Sequence, residues 1–596
     1  MLESVWGADV QGVINSARAN GLTPSPADWR DGWIYFLLVD RFNNPRAPVN
    51  HLPFDDPAFS GFQGGTYSGV RAQLPYIKKL GAGAIWLSPV LRNVPADQTY
   101  HGYGIHDFLV AEKRFADNPA EADRELRDLV DAAHAAGLYV IFDVVLNHTG
   151  DVFHYPGDLA QAPFQSAPVD ALEWRDETGE ARADLPAIEN VPNPSRDGFV
   201  WPSELQRNAY FRRQGMPQAG GDDTVGDFDS LKQLLTADPN VQRTLIRAYQ
   251  YVVARFDVDG FRIDTLRYLK GDLARIFGNA MREFALEVGK KNFFTYGEVW
   301  SSEDDIAHFI GRVAGDTGDL VGVDAALDYP LFYALPPAAK GFAPPAAVAA
   351  MYEHRKSVEA DILSSHGDAT RYFVTFLDNH DQNARIRYVA PGNEHAFDDQ
   401  VTLALASLLS LPGIPCVYYG TEQGLHGSGG QSEAVREALW GGPGFDATNP
   451  FFRQLASITA VRNARPALRY GRFYFRPISG NGTVFGISPY SPGVLAFSRI
   501  LNDEEVVVVA NASSDPAASV TVKVIVDAQL NAVPASFDVL YSNKPGARPS
   551  VAVQTIPGAV VNDVDGTVSN GAVNAITVTL APLEAQILGR SLSVVS

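Results

Sequence analysis

The stretch LYVIFDVVLNH at residues 138–148 decides the fold, because a long apolar run ends abruptly in polar side chains. A segment with helical periodicity, EADRELRDLVDAAHAAG at 121–137, precedes it and stops at a glycine. Similar apolar runs alternate with helix-period segments from about residue 32 to about residue 465. Continuously apolar strands, each followed by a helix, are typical of a parallel sheet that is buried on both faces.

Eight strand–helix pairs follow one another in this region. The predicted strands are 32–42, 82–90, 138–148, 260–266, 293–299, 322–329, 371–378 and 413–420. The predicted helices are 69–81, 121–137, 238–256, 271–289, 304–313, 345–362, 401–410 and 449–463. Eight repeats favour an α/β fold, a (β/α)8 TIM barrel with one large insertion after strand three. An open doubly wound sheet is the alternative, but no glycine-rich phosphate loop stands out after an early strand.

Two regions interrupt or follow this alternation. The interval 149–228 is rich in Pro, Asp and Gly and has few periodic signals, which predicts an inserted domain. After Arg465 come short β-type runs such as EEVVVVANAS, which predict a C-terminal antiparallel β-sandwich. The predicted domains are an N-terminal segment (1–30), the barrel in two parts (31–148 and 229–465), the insertion (149–228) and the sandwich (466–596).

The composition restricts the partners. The 596 residues carry a net charge of −21, so nucleic acid and anionic membranes, which need clustered Lys and Arg, are poor partners. The single cysteine, Cys416, excludes an intramolecular disulfide and a cysteine zinc site.

The uncharged stretch 400–421 is long enough to span a membrane, but it contains Pro412 and Pro415. It therefore predicts a short helix, a turn and a strand instead of a membrane span. We expect no signal peptide in this chain, and therefore a cytoplasmic protein or a mature secreted or periplasmic form.

Polar side chains stand at the carboxyl ends of four predicted strands, where the active site of a barrel lies. They are Asp143, Asn147 and His148 after strand three, Arg262 and Asp264 after strand four, Glu298 after strand five, and Asp378, His380 and Asp381 after strand seven. A single carboxylate there could be only a helix N-cap, but four such ends in register favour a site. Converging carboxylates suit acid–base and nucleophilic chemistry at an acetal, as in a retaining glycosidase.

The spacing suggests a role for two of these carboxylates. Arg262 lies two residues before Asp264 on one strand, so both side chains point to one face, and a guanidinium there would keep Asp264 ionised. A nucleophile requires that charge state. Glu298 has no basic neighbour in sequence and could keep a raised pKa, as a general acid requires.

The same residues carry a resemblance to a known family. DVVLNH (143–148), GFRID (260–264), GEV (297–299) and FLDNHD (376–381) resemble the four signature regions of glycoside hydrolase family 13, the α-amylase family. FQGGTYSGV (62–70), TYHGYGIHDF (99–108) and PGIPCVYYGTEQ (412–423) are similar to its regions around strands one, two and eight. The resemblance covers about residues 32–465. It implies that Asp264 is the nucleophile, Glu298 the general acid/base and Asp381 the aspartate that stabilises the transition state.

The resemblance also implies a sugar-binding set, in which Tyr103, His148, Arg262 and His380 hold the glucose beside the bond that is cleaved. A core aromatic remains the alternative for Tyr103, and a buried hydrogen-bonded side chain for each histidine. The insertion would be the family's domain B and the sandwich its domain C. The insertion's aromatic residues are equally compatible with sugar platforms or a local core; they are Phe153, Trp174, Trp201 and Phe211.

Two departures from the family pattern bear on function. Typical members read Lys-His shortly after the nucleophile, on the acceptor side of the cleft, where this chain has Arg267 and Tyr268. Asn147 matches the family's calcium-binding asparagine, which implies a structural Ca²⁺ site and no organic cofactor. The second ligand is open, because the stretch GDFDSLKQL (226–234) replaces the usual Pro-Asp-Leu and offers Asp229 or Ser230.

The resulting functional prediction is a retaining glycoside hydrolase of α-1,4-linked glucans or malto-oligosaccharides, acting through a covalent glycosyl-aspartate. A glucanotransferase on the same substrates is the alternative, kept open by the unusual acceptor side, and a sucrose- or trehalose-active enzyme is a further one. A non-catalytic binding relative is disfavoured, because such a protein would be expected to lose one of the three carboxylates. Chain-length preference, endo or exo action and oligomeric state stay open.

Overall fold

The computed structural model describes residues 3–50, 60–95, 97–156, 163–166, 171–217, 222–311, 322–358 and 371–590. The helices are α1 (Ala8–Asn20), α2 (Val39–Phe42), α3 (Tyr67–Ala72), α4 (Leu74–Leu80), α5 (Ala122–Ala135), α6 (Pro239–Phe256), α7 (Leu273–Glu287), α8 (Glu303–Phe309), α9 (Tyr329–Ala339), α10 (Pro345–Val358), α11 (Asp398–Leu408), α12 (Pro450–Ala464) and α13 (Pro466–Tyr470).

The strands fall into barrel, insertion and C-terminal groups. They are β1 (Ile34–Leu37), β2 (Ala84–Leu87), β3 (Leu91–Asn93), β4 (Ile105–Ala111), β5 (Tyr139–Val144), β6 (His148–Thr149), β7 (Phe153–His154), β8 (Glu173–Trp174), β9 (Lys232–Gln233), β10 (Gly260–Ile263), β11 (Phe294–Gly297), β12 (Ala325–Ala326), β13 (Val374–Thr375), β14 (Ile414–Tyr418), β15 (Arg472–Phe475), β16 (Ile478–Ser479), β17 (Val484–Phe485), β18 (Val494–Leu501), β19 (Glu504–Asn511), β20 (Val520–Ile525), β21 (Ser536–Ser542), β22 (Ser550–Asn562), β23 (Val568–Leu580) and β24 (Ala585–Gly589).

The first large sheet is a barrel of eight parallel strands. Its order is β12-β11-β10-β5-β2-β1-β14-β13, and a parallel bridge between Leu327 and Val374 joins the two ends. All described residues of these strands are buried except Tyr139, which matches their continuously apolar sequences. The predicted barrel is confirmed. The predicted helix, turn and strand at 400–421 are confirmed as well, since α11 and β14 occupy that stretch.

Several element boundaries differ from the predictions. The predicted strand 32–42 ends at Leu37 and continues as α2. The predicted helix 69–81 is two helices, because Pro75 lacks the backbone N–H that would join α3 to α4. Helix α9 was not predicted; it contains two internal prolines, which are unfavourable in a helix interior. The ends of the predicted helices 304–313 and 345–362 lie outside the described residues.

The N-terminal segment contains α1, for which no element was predicted. Its buried side chains are Val10, Ile14 and Ala17, a narrow stripe with helical spacing. The side chain of Arg247 on α6 donates a hydrogen bond to Gln11 at 2.6 Å, so α1 is attached to the outside of the barrel. Among the described residues, no helix combines the length and the apolar character needed to cross a membrane.

Between strands three and four of the barrel, the described residues form short strand pairs and short 3-10 helices. β6 pairs with β9, and β7 with β8. The rings of Phe153, Trp174 and Phe211 contact one another edge to face at 5.4–5.5 Å, and all three are buried. Trp201 is buried too. These aromatic residues therefore form a local core and not a sugar platform. The proposed domain boundaries stay a prediction.

The C-terminal region is a ten-stranded, largely antiparallel sheet in the order β15-β18-β19-β24-β21-β22-β23-β20-β16, with β17 paired to β22. Inward-facing residues of both halves of this sheet share one core that includes Val507, Val524 and Ile576. The sheet therefore folds over itself, as the sandwich prediction requires. Asn543 connects it to the barrel by donating hydrogen bonds to the Asp399 carbonyl and the Thr402 hydroxyl of α11.

Candidate active site

Two predicted catalytic carboxylates stand directly after adjacent barrel strands. Asp264 follows β10 and Glu298 follows β11, and the register pairs Ile263 with Gly297. The backbone N–H of Glu298 donates to the Ile263 carbonyl at 2.9 Å, which extends the ladder to the carboxylate itself. Both side chains are buried. The strand ends thus hold the two groups side by side at one rim of the barrel.

The side chain of Arg262 joins these carboxylates to a third. Its Nη1 lies 2.8 Å from Asp264 Oδ1 and 2.9 Å from Asp143 Oδ1, and its Nη2 lies 2.7 Å from Glu298 Oε2. The register of β10 against β5 places Arg262 opposite Asp143. The fully buried guanidinium of Arg262 therefore pairs with three carboxyl groups. When all three are ionised, negative charge exceeds positive charge around Arg262.

This excess corrects the expectation that Arg262 keeps Asp264 ionised. Burial raises the pKa of Asp264 well above its usual range; Arg262 opposes that rise, while Glu298 and Asp143 add to it. Arg262 alone therefore does not keep Asp264 ionised, because it is shared. Burial likewise raises the pKa of Asp143 to about 6. Glu298 does have a basic neighbour, since folding brings Arg262 to it from another strand.

The second oxygen of Glu298 contacts a residue that the sequence did not single out. The hydroxyl of Tyr329, at the start of α9, donates to Glu298 Oε1 at 3.0 Å. The Trp300 ring stacks on Tyr329 with centroids 5.2 Å apart, and the indole N–H donates to the hydroxyl of Tyr333. Trp300 and Tyr333 are about half exposed, at 43% and 54%. Trp300 could have been found from its position two residues after Glu298 at a strand end.

A second group of side chains surrounds Asp381. The Tyr103 hydroxyl lies 2.7 Å from His380 Nε2 and donates to Asp143 Oδ2 at 2.8 Å. His380 Nε2 is 3.2 Å from Asp381 Oδ2. Arg436, which was not predicted, contacts Asp381 Oδ1 at 2.9 Å and donates to the carbonyl of His380. The structure thus connects Asp381 to the other carboxylates through His380, Tyr103 and Asp143.

Both predicted histidines are buried and neutral. Burial lowers the pKa of His148 to about 4. Burial, together with Arg436 and Arg262, lowers the pKa of His380 well below its usual range. Neutral imidazoles can donate and accept hydrogen bonds, which suits contact with sugar hydroxyls.

Arg267 and Tyr268 follow β10, shortly after Asp264 and Thr265. Arg267 forms a bidentate ion pair with Asp223 at 3.0 and 3.2 Å. Tyr268 contacts the half-exposed Phe228 ring edge to face at 5.7 Å, and Phe228 in turn stacks on His148 at 6.4 Å. Asp223 and Phe228 belong to the insertion, so both parts of the chain contribute contacts around Arg267 and Tyr268. Neither was recognised, because their partners are more than 30 residues away.

The calcium prediction does not fit the residues present. The Asn147 amide oxygen accepts a hydrogen bond from the Gln233 side chain at 3.1 Å, and Asp229 is exposed. The carboxylate beside this asparagine is instead Asp227, which accepts from the backbone N–H of Gln233 at 3.2 Å. The fully buried ammonium of Lys232 lies 3.6 Å from Asp227. A cation of the chain, Lys232, thus lies in the stretch of sequence from which the second calcium ligand was expected.

Within the described part of the chain, one other cluster has metal-ligand geometry, formed by Asp131, His134 and Asp257. It lies at the carboxyl ends of α5 and α6, away from the catalytic rim. Lys290 Nζ is 2.8 Å from Asp257, and Arg127 is 2.8 Å from Asp131. Cations of the chain already pair with both carboxylates, so this cluster is assigned a structural role.

Comparison with known proteins agrees with this geometry. Residues 36–446 match the family model described as the α-amylase catalytic domain. An α-amylase of Streptomyces lividans is 30% identical over 517 residues, which is 78% of this chain and 53% of that protein. A cyclomaltodextrinase of Thermoanaerobacter pseudethanolicus is 25% identical over 81% of this chain and 70% of its own length.

The crystal structure of a Geobacillus thermoleovorans α-amylase complexed with acarbose superposes on this chain with a TM-score of 0.63. The two share 24% sequence identity, and the superposition covers 95% of this chain and all of that one. This chain spans only about half the length of the Streptomyces enzyme.

Proposed function

Because the chain belongs to the α-amylase family, we propose that it is a retaining glycoside hydrolase of α-1,4-linked glucans or malto-oligosaccharides. The observation that carries the proposal is the single buried guanidinium of Arg262, which contacts Asp264 and Glu298 through different nitrogens. Such an arrangement keeps the two carboxyl groups close and on the same side of the barrel rim. Retaining glycosidases need that proximity, at ~5–5.5 Å, whereas inverting enzymes leave room for a water molecule.

In the proposed mechanism Asp264 attacks the anomeric carbon while Glu298 gives its proton to the leaving glycosidic oxygen. The bond from the anomeric carbon to that oxygen breaks, and a glycosyl ester with Asp264 forms. Glu298, now a carboxylate, takes a proton from an incoming water, whose oxygen displaces the ester and restores Asp264. Each step inverts the anomeric carbon once, so the product keeps the α configuration.

The neighbouring residues suit the glucose unit at the cleavage point. The neutral imidazoles of His148 and His380 and the Tyr103 ring present hydrogen-bonding and stacking groups beside the carboxylates. Asp381 is the least buried of the three, with 27% of its side chain exposed, so it is open to a ring hydroxyl. Arg436 holds the Asp381 carboxylate in place at 2.9 Å, beside the position where an oxocarbenium-like transition state would form.

Proton NMR during the first minutes of maltoheptaose turnover tests the mechanism. The α-anomer must appear before mutarotation, and a fluorinated glucosyl donor must label Asp264 covalently. A β-anomer appearing first, or a label on another residue, would overturn the assignment of the nucleophile.

Transfer to a sugar acceptor is a second candidate, supported by the half-exposed aromatic residues around Glu298. Trp300, Tyr333 and Phe228 are each about half exposed and offer apolar faces on which an acceptor sugar can stack, and Tyr268 contacts Phe228 edge to face. A bound acceptor competes with water for the same glycosyl ester. A product profile over time from maltoheptaose, cyclodextrins, pullulan, sucrose and maltose separates the two candidates, because transfer gives products longer than the substrate.

A further inference from the structure

The barrel and the insertion meet at the antiparallel pair β6–β9, where Thr149 stands opposite Lys232. The Lys232 side chain has no exposed surface. Its ammonium nitrogen lies 3.3 Å from Asp151 Oδ1 and 3.6 Å from Asp227 Oδ2. It also faces the rings of Phe153 and Tyr155, whose centroids are 5.4 and 5.3 Å away. The lysine is therefore enclosed by two carboxylates and two aromatic faces.

The other donors around these carboxylates complete the cluster. Arg175 Nη2 donates to Asp151 Oδ2 at 2.8 Å, and the Tyr155 hydroxyl donates to Asp227 Oδ2 at 2.6 Å. Two carboxylates thus face two cations. Asp97 near Asp151 and Arg212 near Asp227 add one charge of each sign, so the local charge is balanced. Burial raises the pKa of Asp227, and the neighbouring Lys232 counteracts this rise. A balanced, enclosed cluster has no remaining negative charge with which to attract another cation.

The donor set is also wrong for Ca²⁺, which takes six to eight oxygen ligands. A lysine occupies the stretch in which the second calcium ligand was expected. The Asn147 amide oxygen is used by Gln233, whose own amide oxygen accepts from the backbone N–H of Gly226 at 2.8 Å. Two consecutive hydrogen bonds, from Gln233 to Asn147 and from Gly226 to Gln233, therefore connect the barrel strand end to the insertion. A divalent ion close to the Lys232 ammonium would be repelled in this low-dielectric setting.

We propose that the ammonium of Lys232 is the built-in cation of the junction between barrel and insertion and replaces the structural Ca²⁺ of the family. It connects Asp151 and Asp227, which flank the insertion's local core. Because both carboxylates are paired through it, removing the lysine charge leaves uncompensated negative charge in a buried place. The attachment of the insertion is then independent of metal supply.

The first test uses the wild-type chain alone. Thermal unfolding is measured after dialysis against a chelator and again in millimolar CaCl₂, and bound calcium is determined by mass spectrometry. The proposal requires the same melting temperature in both conditions and no stoichiometric calcium. A melting temperature that falls with chelator and recovers with Ca²⁺, together with one calcium per chain, would overturn it.

The second test removes the charge while keeping the side-chain length, in Lys232→Met. We expect a melting temperature lower by roughly 5 °C or more, and faster hydrogen exchange confined to residues 148–156 and 222–234. Lys113→Met is the control for loss of a partly exposed ion pair, with Asp197 at 2.9 Å. Lys290→Met is the control for a buried lysine between two aspartates, Asp257 and Asp259, far from the junction.

The two control variants show whether the effect of Lys232→Met is specific to the junction. If Lys232→Met exchanges and melts like Lys113→Met, the lysine does not hold the junction and the proposal is wrong. Lys290→Met should also lower the melting temperature but leave exchange at 148–156 and 222–234 unchanged. Should Lys232→Met fail to fold, the wild-type measurement with chelator and calcium still decides between lysine and metal. None of these readouts depends on the proposed enzymatic activity.

Discussion

Two buried cations of this chain sit among aspartates and glutamates, and they differ in the balance of charge around them. Arg262 is shared by three carboxyl groups, those of Asp143, Asp264 and Glu298. Lys232 and Arg175 together face two, those of Asp151 and Asp227. Burial raises the pKa of Asp264, Asp143 and Asp227 alike, but neighbouring carboxylates add to the rise only at Asp264 and Asp143, whereas at Asp227 the neighbouring Lys232 opposes it.

Buried acidic residues paired with a basic residue therefore have different roles at the barrel rim and at the junction. At the barrel rim the surplus is costly for the fold but useful to chemistry that needs one carboxylate and one carboxylic acid. At the junction the same kind of burial is fully compensated, so that the pairs hold two parts of the chain together. Mutations at the barrel rim should therefore lower activity and leave stability unchanged or raised. Mutations at the junction should lower stability and leave activity nearly unchanged.

The largest expected effect sharpens this comparison directly. Asp264→Asn and Glu298→Gln should each lower kcat by at least about 10³-fold, because each removes a group that makes or breaks a bond. The melting temperature should stay or rise, since the charge surplus is relieved. Asp227→Asn at the junction should do the reverse, with kcat within about threefold and a lower melting temperature. Steady-state kinetics and calorimetry on the three variants check this; an active Asp264→Asn, or an undisturbed Asp227→Asn, contradicts it.

The next effect concerns pH and uses Asp143→Asn. In the proposed mechanism Asp264 must be ionised to attack, so activity should be lost as the pH falls through its raised pKa. Asp143 is one of the charges that raise the pKa of Asp264, and removing it should move the acid limb of kcat/KM to lower pH, by on the order of one unit. We also expect kcat to fall by about tenfold to a hundredfold, because Asp143 holds Arg262 and Tyr103.

Asp151→Asn is the matched control for that pH profile. It removes an aspartate charge from the balanced cluster, away from the reacting groups, and should leave the acid limb where it is. An acid limb that does not move in Asp143→Asn would show that another group governs ionisation of the site.

The barrel could be predicted because its strands are continuously apolar, and Asp264 and Glu298 because polar residues directly follow β10 and β11. The sharing of Arg262 could not be predicted, since it depends on the register of three neighbouring strands. Tyr329 was missed for the same kind of reason, because its helix carries two prolines and its partner lies 31 residues earlier. The family pattern predicts calcium at Asn147, but the position of Lys232 between Asp151 and Asp227 depends on the pairing of β6 with β9 and could not be predicted.

A smaller effect is expected for Tyr329→Phe, which removes one hydroxyl and keeps the ring. The hydroxyl is a hydrogen-bond donor to Glu298 Oε1 and restricts the rotation of that carboxyl group. We expect kcat to fall by about tenfold with little change in KM, because the loss concerns alignment in the transition state and not binding. Tyr333→Phe removes a hydroxyl next to the same cluster without touching Glu298, and it should change kcat by less than about twofold. Equal effects of the two variants would contradict the positioning role.

The smallest effect distinguishes hydrolysis from transfer. Trp300 is half exposed, stacks on Tyr329 and lies two residues after Glu298, and under the transfer proposal its exposed surface contacts the acceptor sugar. An aromatic face contributes about 1 kcal/mol to stacking, which corresponds to roughly fivefold in the occupancy of an acceptor site. Water needs no such face. Trp300→Ala should therefore lower the ratio of transfer to hydrolysis products from concentrated maltoheptaose by about fivefold while total turnover changes by less than about threefold. Chromatographic product ratios at several substrate concentrations measure this, with Trp6→Ala, a distant exposed tryptophan, as the control. If the ratio is unchanged while turnover falls steeply, Trp300 serves only to support Tyr329, and the acceptor sugar is held elsewhere on the rim.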